Sequence, residues 1–144
     1  MEDRKPFRLY LSSDSSAKYY QRNTKTDFWV HLSNAIHLRG AWEVGITELF
    51  TSKAEPSQDS ALYIYTNISV QVPVSDSMIR LLRILPPPSD KESNTYVFDR
   101  PYFERVEFPE IQDIRFRLLD KNAQPYKLDS TGVVTHIVLW FRPV

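Results

Sequence analysis

Three runs within the first fifty residues constrain the fold more than any other feature of the sequence. Phe7-Arg8-Leu9-Tyr10-Leu11-Ser12, Phe28-Trp29-Val30-His31-Leu32 and Trp42-Glu43-Val44-Gly45-Ile46-Thr47-Glu48-Leu49-Phe50 each set apolar side chains at every second position. That period marks a half-buried β-strand, because successive side chains on a strand point to opposite faces. Polar segments, Ser13 to Thr26 and Ser33 to Gly40, separate the runs without a helical pattern. The chain therefore opens as an antiparallel β protein. One residue breaks the pattern: Glu48 shares parity with Trp42, Val44 and Ile46. Either it turns inward against a basic partner, or a bulge near Gly45 shifts the register and exposes it.

The rest of the sequence continues in the same style. Leu62, Ile64 and Thr66 alternate with Tyr63 and Tyr65, and Ile114, Phe116 and Leu118 alternate with Asp113, Arg115 and Arg117. Met78 to Leu85 permits a strand or one or two helical turns, since Arg80 and Arg83 are three apart; a strand suits its surroundings better, and Pro86-Pro87-Pro88 stops either. An extended segment at Tyr96-Val97-Phe98 is interrupted by Pro101 and resumes at Tyr102-Phe103, and Asp120 to Ala123 reads as a tight turn. Val133 to Phe141 reads as a long strand with Val133, Ile137, Leu139 and Phe141 on one face and Val134, His136, Val138 and Trp140 on the other. Apolar on both sides, it is either central in a sandwich or part of a subunit contact. About eight to ten short strands with regular turn signals predict an all-β sandwich or barrel. With 144 residues, one domain is expected, residues 1–6 forming a flexible arm.

Composition narrows the chemistry. Eighteen basic and eighteen acidic residues cancel, so no basic surplus points to direct nucleic-acid binding. No cysteine is present, which removes thiolate nucleophiles, disulfides and Cys-ligated zinc. His31, His37 and His136 stand in no metal-ligand spacing, and Gly40, Gly45 and Gly132 are the only glycines, too few for a nucleophile elbow or a phosphate-cradling loop. Asp14, Asp27, Asp99 and Glu104 read as loop acids, and a structural role is expected for Glu48. No catalytic residue, cofactor or metal is expected. The charged start, Met1 to Pro6, resembles no secretory signal, and no apolar run is long enough to span a bilayer, so a soluble protein made inside a cell is expected. Asn67-Ile68-Ser69 matches a glycosylation sequon and is read as chance. Trp29, Tyr19, Tyr20, Tyr63 and Tyr65 either fill strand faces and an oligomer interface or form a carbohydrate-stacking platform, as in a lectin-like sandwich.

Several stretches resemble a known family. Phe7 to Ser16, Tyr20, Asn23-Thr24, Phe28 to Leu32, Ile36 to Leu38 and Trp42 to Gly45 are similar to the start of minor capsid proteins. These are the penton-type, single jelly-roll proteins of Polinton/Maverick elements and adintovirus-like DNA viruses. Leu82-Arg83-Ile84, Arg100 to Val106, Ile111 to Ile114 and Leu139 to Arg142 extend the likeness towards the end of the chain. The resemblance implies a jelly roll of eight antiparallel strands in two sheets. It also implies a homopentamer at the vertices of an icosahedral virion, beside a larger major capsid protein. A shell of this protein alone, or a host-captured copy, stays open. With 144 residues, a projecting receptor-binding domain is not expected. The expected subunit contacts are Tyr63, Tyr65, Val134, His136, Val138 and Trp140.

Overall fold

The computed structural model describes residues 4–87, 93–130 and 134–144, and among these there are eleven strands and no helix. One sheet runs in the order β1 (Phe7–Ser12), β11 (His136–Pro143), β3 (Trp42–Ser52), β8 (Ser93–Val97), with β9 (Phe103–Arg105) also on β3. The second runs β2 (Asp27–His37), β10 (Glu110–Leu119), β4 (Leu62–Thr66), β7 (Leu81–Leu85). A small hairpin, β5 (Val72–Val74) with β6 (Ser77–Ile79), stands apart. The chain is an antiparallel β-sandwich, as the alternation predicts.

The apolar positions read from the sequence meet in one core. Val44, Ile46, Leu49, Ile137, Leu139 and Phe141 come from the β1-β11-β3-β8 sheet; Phe28, Ile64, Ile114, Phe116 and Leu118 face them from the other, all fully buried. Met78 to Leu85 is extended but broken at Arg80 into β6 and β7, so the helical alternative falls. The second run reaches His37, further than the sequence suggests: Ser33 to His37 continues β2 instead of forming a loop. The last strand begins later than expected, at His136. Val134 precedes it, half-buried, and Val133 lies outside the described residues. Residues 1–3 of the expected arm also lie outside them, while Arg4 donates to the Arg39 and Ala41 carbonyl oxygens at 3.2 and 3.4 Å.

Two local devices shape the first sheet. Val138 pairs with Glu48 but Leu139 pairs with Ile46, so Thr47 is an extra residue on β3. This bulge inverts the parity: Val44 and Ile46 face the core before it, Leu49 and Thr51 after it, and Glu48 is exposed. The bulge resolves the Glu48 anomaly. On the other edge of β3, β8 pairs with Glu48 to Ser52 and β9 with Glu43 to Gly45, two pieces of one path divided around Pro101. Gly45 permits the crossing, because a Cβ there would lie 2.8 Å from the Tyr102 carbonyl oxygen and 3.1 Å from Pro101 Cβ.

Taking β8 and β9 as one divided strand and setting the hairpin aside, the other eight strands pair in a nested way. First pairs with last, second with seventh, third with sixth, and fourth with fifth.

Candidate functional site

The two outer faces of the sandwich differ in chemistry. On the β1-β11-β3-β8 sheet, the register sets Arg8, Trp140, Gly45 and Phe103 in one row across four strands. The next row holds Tyr10, Val138, Glu48 and Val97. Beside these rows lies a groove of about 490 Å³, lined by Arg8, Tyr10, Glu48, Val97, Phe103 and Trp140 among others. Its apolar walls are open to solvent: Tyr10 is 69% and Val97 66% exposed. The Arg8 guanidinium lies 4.6 Å from the centre of the Trp140 ring, and Arg142 lies 3.5 Å from that of Phe103. Arg142 also pairs with Glu43 at the rim. His136 is exposed beside Phe50, ring centres 6.2 Å apart.

The outer face of the β2-β10-β4-β7 sheet is polar and already internally bonded. Directly opposed pairs on β2 and β10 are His31 with Asp113, Trp29 with Arg115 and Asp27 with Arg117. Arg115 reaches diagonally to Asp27 in a two-pronged ion pair of 2.9 and 2.8 Å, which raises its own pKa, while its guanidinium lies 5.5 Å from the Trp29 ring centre. His31 Nδ1 is 2.9 Å from Asp113 Oδ1, and the Tyr20 hydroxyl donates to the same oxygen. Burial pushes the Asp113 carboxyl up, but the hydrogen bonds from Tyr20 and His31 outweigh it and leave the group below its ordinary value. The same hydrogen bond, with burial and the Asp113 charge behind it, pushes the Tyr20 phenol up to about 12.

The segment between β1 and β2 completes this face. Asn23 clamps Trp29 by accepting from its backbone N–H at 2.9 Å and donating to its carbonyl at 2.8 Å. Ser16 accepts from the His31 N–H at 2.8 Å. Tyr20 stacks on Trp29 at 5.6 Å and Tyr19 lies 4.5 Å from His31. A cleft of about 560 Å³ opens here, lined by Tyr19, Tyr20, Arg22, Asp27, Trp29 and Arg115.

No protein-family model matches the chain, and no curated protein matches it in sequence.

The six expected contact residues do not share one surface. His136, Val138 and Trp140 lie on the grooved face, and Tyr63 and Tyr65 on the opposite face of the sandwich, on β4 opposite Leu119 and Arg117. Asp27 and Glu104 are strand residues and not loop acids, being on β2 and β9. Burial raises the Glu104 pKa. Of the five aromatics considered as a platform, Tyr19, Tyr20 and Trp29 meet in the cleft; Tyr63 and Tyr65 are two strands away. In the sequence Asp113 and Arg115 read only as a face that meets solvent or a partner; their alternation is the sole signal, and it names neither Asp27 nor His31. Among the described residues, no group of three or more His, Asp or Glu side chains is placed to hold a metal ion, and no helix is long and apolar enough to cross a membrane.

Proposed function

We propose that this chain is a structural virion protein, a penton-type minor capsid subunit that assembles as a homopentamer at capsid vertices beside a major capsid protein. The observation that carries the reading is the nested strand order, first with last inward to fourth with fifth. An antiparallel ribbon rolled up on itself gives that order, the arrangement of an eight-stranded jelly roll such as viral capsid domains use. The sequence resemblance leads to the same family.

A second feature supports assembly. The grooved face leaves Tyr10 and Val97 about two-thirds exposed around Val138 and Trp140, in a patch rimmed by Arg8, Glu48 and Arg142. Apolar centres with charged rims are the anatomy of protein contacts. A head-to-tail contact between copies covers such a face and closes into a ring when the rotation allows. In this reading Trp140 touches the neighbouring subunit, Val138 being already buried in the monomer, while Tyr63 and Tyr65 face away from it.

Negative-stain electron microscopy and mass measurement of the purified protein, alone and with a co-expressed capsid partner, test the proposal. Rings with five-fold classes are expected. A strictly monomeric protein at high concentration that joins no particle overturns it.

A further inference from the structure

We propose that the outer face of the β2-β10-β4-β7 sheet binds a sugar carrying a single anionic group, with the ring on Tyr20 and Trp29 and the acid on Arg117. This inference is independent of the assembly reading, because it uses the opposite face of the sandwich.

The aromatic part is held ready by the chain's own hydrogen bonds. Both main-chain groups of Trp29 are fixed by Asn23, Tyr20 is fixed by Asp113, and Arg115 by both oxygens of Asp27. A ligand entering this cleft does not have to order it first, which removes part of the entropic cost of binding. The volume, about 560 Å³, lies within the range of small-ligand sites. A pyranose presents a C–H face that packs on an aromatic ring and hydroxyls that suit carboxylate, amide and guanidinium partners. Tyr20, Trp29, Asp27 and Arg115 supply both kinds of contact.

The charged part lies next door. A second cleft, of about 320 Å³, is lined by Tyr65, Thr66, Arg80, Arg115 and Arg117, and shares Arg115 with the first. Two of its three arginines are already paired, Arg115 with Asp27 and Arg80 with Glu107. Arg117 is not. Its cross-strand neighbour is Asp27, whose carboxylate is taken by Arg115. Its Nε is buried without a hydrogen-bond partner among the described residues. Buried donors left unsatisfied are costly, and such groups call for an explanation. An anion received by Arg117 supplies one. Arg117 is two residues along β10 from Arg115, which stands opposite Trp29, so strand geometry sets the acid subsite about 7 Å from the aromatic one.

The charge count selects the ligand class. The two clefts carry four arginines, of which only Arg22 and Arg117 lack an ion pair among the described residues. Nucleic acid binds by neutralising many phosphates, and the chain as a whole has net charge zero. Two uncompensated cations beside an aromatic pair fit one acid group on one sugar ring.

Titration calorimetry with 3′-sialyllactose, singly sulfated lactose, neutral lactose and a dT oligonucleotide tests this, on wild type, Arg117→Gln and Trp29→Ala, each checked for an unchanged thermal transition. Arg117→Gln replaces a half-exposed side chain and keeps the test valid if Trp29→Ala unfolds. We expect at least one acidic sugar to bind at least tenfold more tightly than lactose, with Arg117→Gln removing that preference and Trp29→Ala removing binding to both. Equal binding of lactose, an unaltered preference in Arg117→Gln, binding of the oligonucleotide alone, or no binding at millimolar sugar each overturns the proposal.

Discussion

A charge placed in the groove of the β1-β11-β3-β8 sheet separates assembly from folding, and Val97 is the position where the separation is cleanest. Trp140 is the more obvious target but a poorer one. It is half-buried under Arg8, and its indole N–H is buried. Trp140→Asp therefore strips packing from the monomer as well as from a contact. Val97 is 66% exposed, and its backbone continues the ladder with Glu48 whatever the side chain. Removing an exposed valine costs the monomer no more than about 0.5 kcal/mol, the usual range for surface substitutions. In a subunit contact the account differs. Burying the exposed two-thirds of a valine contributes about 1 kcal/mol, and an uncompensated charge enclosed in the same place costs about 3 kcal/mol or more. Together these weaken association by about a thousandfold, since each 1.4 kcal/mol is a factor of ten. Sedimentation velocity across a hundredfold concentration range, alongside a urea titration, reads both quantities. We expect Val97→Asp to sediment as a monomer at concentrations where wild type forms rings, with its urea midpoint essentially unmoved. Rings of undiminished stability in Val97→Asp refute the placement of the contact in this groove. An unfolding free energy, read from the urea titration, that falls by several kcal/mol refutes the claim that Val97 lies outside the folding core.

Three further outcomes follow from particular residues. Gly45→Ala places a methyl group 2.8 Å from the Tyr102 carbonyl oxygen, and we expect it to destabilise the fold by about 1–3 kcal/mol, the usual cost of overpacking, measured by denaturant unfolding. Tyr20→Phe removes the hydrogen bond to Asp113 and costs about 0.5–1 kcal/mol at pH 7, small because the Asp113 side chain is still 32% exposed and His31 still bonds it. The difference between wild type and Tyr20→Phe should shrink as pH rises from 10 towards 12, where the unfolded phenol ionises before the folded one. It should also shrink as pH falls below about 3.8, where the folded Asp113 takes up a proton, as urea melts across pH will read. Ala123 sits at φ 60° in the turn after β10, and Ala123→Gly should raise the thermal midpoint by a stabilisation of about 0.5 kcal/mol, after part of the relieved left-handed strain is offset by the freer unfolded chain.

The parts of this fold legible in the sequence are those that depend on one strand at a time. Ile114, Phe116 and Leu118 turn inward with Asp113, Arg115 and Arg117 outward because the two-residue period admits no other arrangement once one face is buried. The Asp120 turn is legible for a similar reason, since its carboxylate accepts from the Asn122 and Gln124 N–H groups within five residues. Features that join distant strands leave a fainter trace. The Thr47 bulge shows only as an acid on an apolar parity, which fits an inward ion pair equally well. The value of Gly45 depends on Tyr102, more than fifty residues later. Asp27 and Arg115 are 88 residues apart, so nothing local distinguishes Asp27 from a loop acid. Which of Arg115 and Arg117 finds a carboxylate is decided by the diagonal reach across β2 and β10.

The segment between β1 and β2 explains why the two outer faces took different chemistry. It leaves the first sheet at Ser12 and enters the second at Asp27, and at its start it is anchored in the interior. Ser13 exchanges hydrogen bonds with Thr135, whose hydroxyl reaches Thr51 at 2.7 Å and the Lys25 carbonyl at 2.8 Å. Fixed at both ends, the segment delivers Ser16, Tyr20 and Asn23 onto the outer side of β2. The backbone N–H and C=O groups on the free edge of β2 need partners, and Asn23 and Ser16 provide them for Trp29 and His31, while Tyr20 meets the carboxylate of Asp113. The grooved face bears a different edge. Its β8–β9 path runs within the plane of the sheet, pairing with β3 on either side of Pro101, so its backbone groups are met by the ladder itself. Side chains on that face are relieved of the work of satisfying a crossing loop and can be apolar, as Tyr10, Val97, Val138 and Trp140 are. A face whose ion pair, Arg142 with Glu43, sits at the rim is the one suited to the proposed neighbouring subunit. The face already cross-linked by Asn23, Asp27 and Asp113 is rigid enough to present Trp29 and Arg117 to a small ligand. Loosening the segment with Asn23→Ala should therefore weaken sugar binding while leaving ring formation intact, and loss of rings in that variant would show that the two faces are not separate.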